Sequence, residues 1–176
     1  MRFERITDAG HPMYAQALEL YRASFPPHEQ REARSQEAIL SDTAYFFNLL
    51  YDKDTFVGLL LCWETERFIY VEHLCVLPEM RNRHYGRQCL ALVQQKGKHV
   101  ILEIDPPVDA VSIRRKGFYE RSGFVENAYP HLHPPYHSGN PGHALVVLSF
   151  PGRITAEDYA QFSDYLKNHV MEHAYS

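Results

Sequence analysis

The stretch VEHLCVLPEMRNRHYGRQCLALV, residues 71–93, narrows the fold more than any other part of the chain. It runs from an apolar segment through a proline and an arginine-rich turn into apolar residues at helical spacing, Leu90 and Val93. A strand that feeds directly into a helix belongs to a sheet covered by helices. The junction also carries chemistry. A helix N-terminus has unpaired N–H groups and the positive end of the helix dipole, and a glycine lets the backbone approach a ligand closely. Arg81, Asn82, Arg83, His84, Tyr85, Gly86 and Arg87 therefore form a seat suited to phosphate, and above all to pyrophosphate. The chain has neither GxGxxG nor GxxxxGK followed by Ser or Thr, so the two common nucleotide fingerprints do not account for it.

The flanking segments define the rest. Tyr14, Ala17, Leu18, Tyr21 and Phe25 recur at helical spacing behind Pro12, and Pro26 and Pro27 end that helix in the polar loop SFPPHEQREAR. Ser35 is placed to cap a second short helix reaching about Leu40. Residues 44–51, 56–63 and 68–76 are β-rich, and DKDT between the first two makes a short turn, so an antiparallel meander is expected. After the helix that Gly97 closes come a strand over 99–104 and a helix over 112–122 with Gly123 at its C-terminal end. Strands are expected over 124–129 and 143–150. Tyr159, Phe162, Leu166 and Val170 then mark one apolar face of a final helix.

Composition bounds the function. A chain of 176 residues with 45% apolar content suits one domain over residues 1–176 with a full core. A net charge of −4 argues against a general nucleic-acid binder, so any basic site is local. Cys62, Cys75 and Cys89 form no CxxC pair and lie in apolar segments, which points to buried reduced thiols and a cytoplasmic location. No run is long enough to cross a bilayer and the start lacks a signal-peptide pattern, so no membrane partner is expected.

Two segments carry a family resemblance. Residues 81–86 resemble the acyl-CoA-binding motif of the GNAT superfamily of N-acetyltransferases: Arg or Gln, two residues, Gly, one residue, then Gly or Ala. Arg81 matches the first position and Gly86 the last, LCVLPE leads in, and His84 replaces the intermediate glycine. SIRRKGFYERSGF, residues 112–124, is similar to the helix that follows the fifth strand in this family. The resemblance implies an α/β (α+β) fold, a mixed and mostly antiparallel sheet flanked by helices, here with an added C-terminal helix.

It also implies a reaction. Acetyl-CoA would be the co-substrate, and a primary amine of a small molecule or peptide would attack its thioester directly, in an opening between the fourth and fifth strands. The main chain of Leu74, Cys75 and Val76 would hold the pantetheine arm and polarise the carbonyl. Tyr119 occupies the position of the tyrosine that serves the leaving thiolate. Glu72 is the first candidate for the base that deprotonates the amine, with Glu103 as its rival. The acceptor would be shaped by FPPHEQR and NAYPHLHPPYHSGNPGH, with Tyr129 and Tyr136 lining the pocket and Glu29, Asp105 and Asp109 near an opening suited to a cationic amine.

Two other readings compete. A catalytically silent acyl-CoA sensor would keep the fold without turnover. His131, His133, His137 and His143 invite a metal site, but structural zinc usually brings cysteine, so no metal is expected. Pairing of two copies as a homodimer, through the last helix or a strand edge, stays open.

Overall fold

The computed structural model describes residues 1–175. It opens with β1 (Arg2–Ile6), α1 (Tyr14–Ser24) and the short α2 (Ala33–Ala38), followed by the meander β2 (Tyr45–Asp52), β3 (Thr55–Glu64) and β4 (Phe68–Val76). Then come α3 (Tyr85–Gln94), β5 (His99–Ile104), α4 (Ala110–Arg121), β6 (Val125–Glu126), β7 (Leu132–His133), β8 (His143–Ala144), β9 (Val146–Phe150) and α5 (Ala156–Tyr165). Seven strands form one sheet in the order β1-β2-β3-β4-β5-β9-β6, and β7 and β8 make a separate ribbon. Every neighbouring pair in the main sheet is antiparallel except β4 with β5. That parallel pair requires a crossover, which α3 supplies.

The sheet is covered on both faces, which is why β3 is apolar at consecutive positions rather than alternating. Leu59, Leu61 and Trp63 join Tyr21 of α1, Phe47, Tyr70 and Phe162 of α5 in one core. Leu60 and Cys62 face the other way, with Leu90 and Val93 of α3, Leu102 and Phe124.

Several boundaries differ from the sequence expectation. β1 was hidden because RFERI is mostly charged; it is an edge strand held by backbone pairing to β2, and charge on an edge is a common guard against further pairing. Ser35 caps nothing: Glu32 precedes α2, and Ser35 lies inside the helix, its hydroxyl donating to the His173 carbonyl. Only Val125–Glu126 of the expected strand 124–129 is extended. Asn127 keeps a backbone bond to β9, its N–H donating to the Val147 carbonyl at 2.9 Å, and its side chain donates to Ser149 Oγ at 2.8 Å and accepts from Ile154 N–H at 3.0 Å, which ends the strand there. The run 143–150 breaks at Leu145, and the last helix ends in a wider turn, Leu166–Val170.

One irregularity positions the site. On β4, Val71 faces Cys62 and His73 faces Leu61, so Glu72 is an extra residue, a β-bulge. Pairing of β4 with β5 also stops at Val71 and Leu102. The Glu72 carboxylate points into the protein, 2% exposed, where it meets Arg31 Nη2 at 3.1 Å, Trp63 Nε1 at 2.8 Å and the Tyr136 hydroxyl at 2.8 Å. The same Arg31 nitrogen donates to the Val170 carbonyl at 2.8 Å. Removing one partner of a buried ion pair strands the other charge and typically costs about 3–5 kcal/mol. R31M should therefore lose stability on that order in urea unfolding, and R31M/E72Q should recover part of the loss.

Candidate active site

Beyond Val71 and Leu102 the two parallel strands separate, and a cavity of about 610 Å³ opens between them. One wall is β4, where Leu74, Cys75 and Val76 bond to β3 along one edge and leave the edge toward β5 free. Gly58 permits the close approach of β3 here, since a Cβ on it would lie 2.3 Å from the Cys75 carbonyl oxygen. The opposite wall holds Leu102, Glu103, Ile104, Arg115 and Tyr119, and Arg81 reaches the rim.

At the start of α3 no side chain caps the helix, and its first backbone bond runs from Gln88 N–H to the His84 carbonyl. The N–H groups of Tyr85, Gly86 and Arg87 are left available to an anion, with exposed Arg81, Arg83 and Arg87 around them. Asn82 and His84 have φ of 62° and 64°. His84 thus adopts the left-handed conformation for which glycine is the natural residue, at a cost of roughly 1–2 kcal/mol for a side chain. Gly86 serves packing: a Cβ there would come within 3.2 Å of the Phe118 ring, so the glycine lets α3 settle on α4. The Tyr85 hydroxyl bonds Asp52 at 2.9 Å and ties the helix start to the β2–β3 turn.

Tyr119 lies on α4 between the rings of Phe118 and Phe124 and lines the cavity. Burial pushes its phenol up to about 12. Glu72 also lines the cavity, but its carboxylate already accepts from three buried donors, Arg31, Trp63 and Tyr136. Burial alone would raise it; the Arg31 charge, with His73, Trp63 and Tyr136, outweighs that and holds it below the usual carboxylate range. Glu103 is similar: burial is opposed by the imidazoles of His133 and His131 and by the Tyr70 hydroxyl, which donates to it at 2.5 Å, and the carboxyl ends up lowered.

The acceptor side departs from expectation in detail. His28 and Glu29, Asp105, Tyr136 and the 140–143 segment line the cavity. Tyr129 does not: it stacks on Tyr159 at 4.4 Å and donates to the Ile154 carbonyl. Asp109 is the N-cap of α4, accepting from Val111 and Ser112 N–H. The four histidines of the metal reading do not converge. His131 bridges Glu103 and the Tyr159 hydroxyl, His133 Nδ1 bonds the Pro134 carbonyl, His137 bonds the Pro27 carbonyl, and His143 meets Asp105 at 3.2 Å. A different trio, His28, Glu29 and His143, brings ligand atoms within 4.8 Å of one another at the mouth, with His28 exposed. Arg31 and His73 were missed in the sequence, because a lone arginine in a polar loop and a histidine inside a strand look like surface and core.

The model of the Acetyltransferase (GNAT) family matches residues 12–124, and the chain belongs to that family. A solved structure from Bacteroides thetaiotaomicron, assigned to the GNAT family as an acetyltransferase, is 30% identical with a TM-score of 0.89, covering 97% of this chain and 98% of that one. A Bacillus subtilis acetyltransferase in complex with CoA is 15% identical with a TM-score of 0.56, over 84% of this chain and 96% of that one, a likeness of fold alone. The curated Bacillus subtilis (strain 168) protein YjbC, named as an acetyltransferase, is 29% identical over 57% of this chain; the match spans about half of that protein's length, 52%. Among the described residues no helix is long and apolar enough to cross a membrane.

The buried groups set an acid response. The imidazole of His73 is pushed down by burial, and the carboxyls of Glu72 and Glu103 are also lowered. For each group the unfolded chain binds protons first as pH falls, so stability rises with pH. The thermal unfolding temperature should begin to drop as pH falls through about 6.5, the ordinary histidine value, and drop more steeply below about 4.3, the ordinary glutamate value. H73F should remove the first step and leave the second.

Proposed function

We propose that the protein transfers an acetyl group from acetyl-CoA to a primary amine of a small molecule or peptide, by direct attack of the amine on the thioester. The observation that carries this reading is the cleft itself: β4 parts from β5 at the Glu72 bulge, and the free edge of Leu74, Cys75 and Val76 faces Tyr119 across it. In this reading that edge holds the pantetheine arm. The open N–H groups of Tyr85, Gly86 and Arg87, with Arg81, Asn82, Arg83 and His84, hold the pyrophosphate.

Direct attack fits the thiols. Burial pushes Cys75 up to about 11, Cys62 up to about 12 and Cys89 well above the ordinary thiol value, so none supplies a thiolate to carry the acetyl group. Tyr119 acts on the leaving sulfur as a hydrogen-bond donor. A phenol raised to about 12 against a thiol near 8.5 makes full proton transfer uphill by about 5 kcal/mol, whereas a donated hydrogen bond carries no such cost. Glu72, whose charged form is held by Arg31, Trp63 and Tyr136, acts as support for the cleft rather than as the base.

Calorimetric titration with acetyl-CoA tests the cofactor seat. Micromolar binding is expected, retained in H84G, which restores the residue type the left-handed backbone favours. Binding should be lost in G86E, whose side chain meets Phe118 and places a negative charge at the helix start. Release of CoA with an amine panel, lowered on the order of 100-fold in Y119F, tests the transfer. Binding without release would instead support a silent acyl-CoA sensor.

A further inference from the structure

At the mouth of the cleft two imidazoles and a carboxylate face one another, and among the described residues their ring nitrogens and carboxylate oxygens make no hydrogen bond, only ion-pair approaches. We propose that His28, Glu29 and His143 bind one Zn²⁺ ion there, with water in the fourth position, and that the ion fastens the turn after α1 to the β7–β8 ribbon. The site stands apart from the transfer reading, and no step of that reaction passes through the ion.

The three side chains come from segments far apart in the chain. His28 and Glu29 belong to the turn Pro27–Glu29, and His143 belongs to β8. One ligand atom of each lies within 4.8 Å of the other two, and the two rings are tilted against each other with centroids 5.8 Å apart. Ligand atoms about 2 Å from a tetrahedral zinc lie about 3.4 Å from one another, a gap that side-chain rotation closes here. The rotation is available because the side chains of His28, Glu29 and His143 are 57%, 26% and 39% exposed, and the same exposure lets an ion enter from solvent. Two imidazole nitrogens and one carboxylate oxygen, without sulfur, make a set that Zn²⁺ accepts, and three protein ligands leave a position for water.

The backbone holds the ligands in place with bonds that spend none of their side-chain atoms. The Pro27 carbonyl bonds His137 Nε2 at 2.9 Å, which joins the turn to the loop between β7 and β8. The Glu29 N–H donates to the Pro26 carbonyl at 2.9 Å, and the Glu29 carbonyl bonds His73 Nε2 of β4 at 3.0 Å. His143 is paired with His133 in the ribbon. Charge favours a cation at this point. Glu29 stands 3.7 Å from His28, and Asp105 stands 3.2 Å from His143 Nε2, so two carboxylates flank the imidazoles, with Arg115, 3.2 Å from Asp105, as the cation beside them. Asp105 is placed as the supporting carboxylate that steadies a ligating ring. His131, His133 and His137 are bonded elsewhere, so the site differs from the four-histidine cluster expected from sequence.

Zinc chloride titrated calorimetrically into chelator-treated, tag-free protein tests the site, with Co²⁺ as a spectroscopic substitute. One equivalent should bind with micromolar affinity and raise the unfolding temperature, and Co²⁺ should give the visible absorption of a tetrahedral centre. H28A, E29Q and H143A should each weaken zinc binding on the order of 100-fold or more, and D105N about 10-fold, as loss of a residue that supports a ligand does. Without zinc, H28A should unfold at the wild-type temperature, because its side chain is exposed, so its lost binding is not lost folding. H11A, which removes a histidine paired with Glu4 elsewhere on the surface, should bind zinc as the wild type does. Absence of binding at millimolar zinc would overturn the site, as would binding that H28A and H143A leave unchanged or that H11A removes. The titration uses neither acetyl-CoA nor an amine, so its failure leaves the transfer reading standing, and failure of the transfer leaves the zinc site standing.

Discussion

The Arg31–Glu72 pair is the contact on which the architecture turns. Glu72 is the extra residue of the β4 bulge, and the strand leaves β5 at that point. A carboxylate here would be very costly to bury alone. Arg31 from the loop after α1, Trp63 from β3 and Tyr136 from the loop between β7 and β8 all converge on it, and Arg31 also holds the chain near its C-terminal end through Val170. One charge therefore gathers segments far apart in sequence around the point where the cleft begins. Such pairs add little net stability over an apolar replacement, so the effect of this one lies in the segments it brings together.

That commitment divides labour within the cleft. Acidic side chains look alike in sequence, but Glu72 and Glu103 are each surrounded by donors that hold the charged form and weaken it as a proton acceptor. On the cofactor side the division is similar. Gly86, the motif position preserved from the family pattern, serves helix packing against Phe118, whereas His84, the departure from it, occupies the left-handed backbone that shapes the turn.

Much of the fold was legible because its signals are local. The meander, the crossover helix and the helix over Phe118 and Tyr119 follow from apolar runs, prolines and glycines within a few residues of one another. The failures share a cause as well. β1 forms because β2 offers a backbone edge to its charged sequence, Ser35 is drawn to His173 across 138 residues, and the Asn127 side chain is held by Ser149 and Ile154. In each, a distant partner outcompeted the local preference.

By itself the sequence determined the order of most elements and pointed to the family, since Arg81 to Gly86 and Phe118 to Phe124 are contiguous motifs with chemistry of their own. Only the tertiary structure decided the surroundings of the titratable groups. How readily Glu72 and Glu103 accept a proton depends on which donors surround them, and those donors, Arg31, Trp63, Tyr136, Tyr70 and His131, are brought into place by folding. Proton affinity belongs to the environment of a group rather than to its identity.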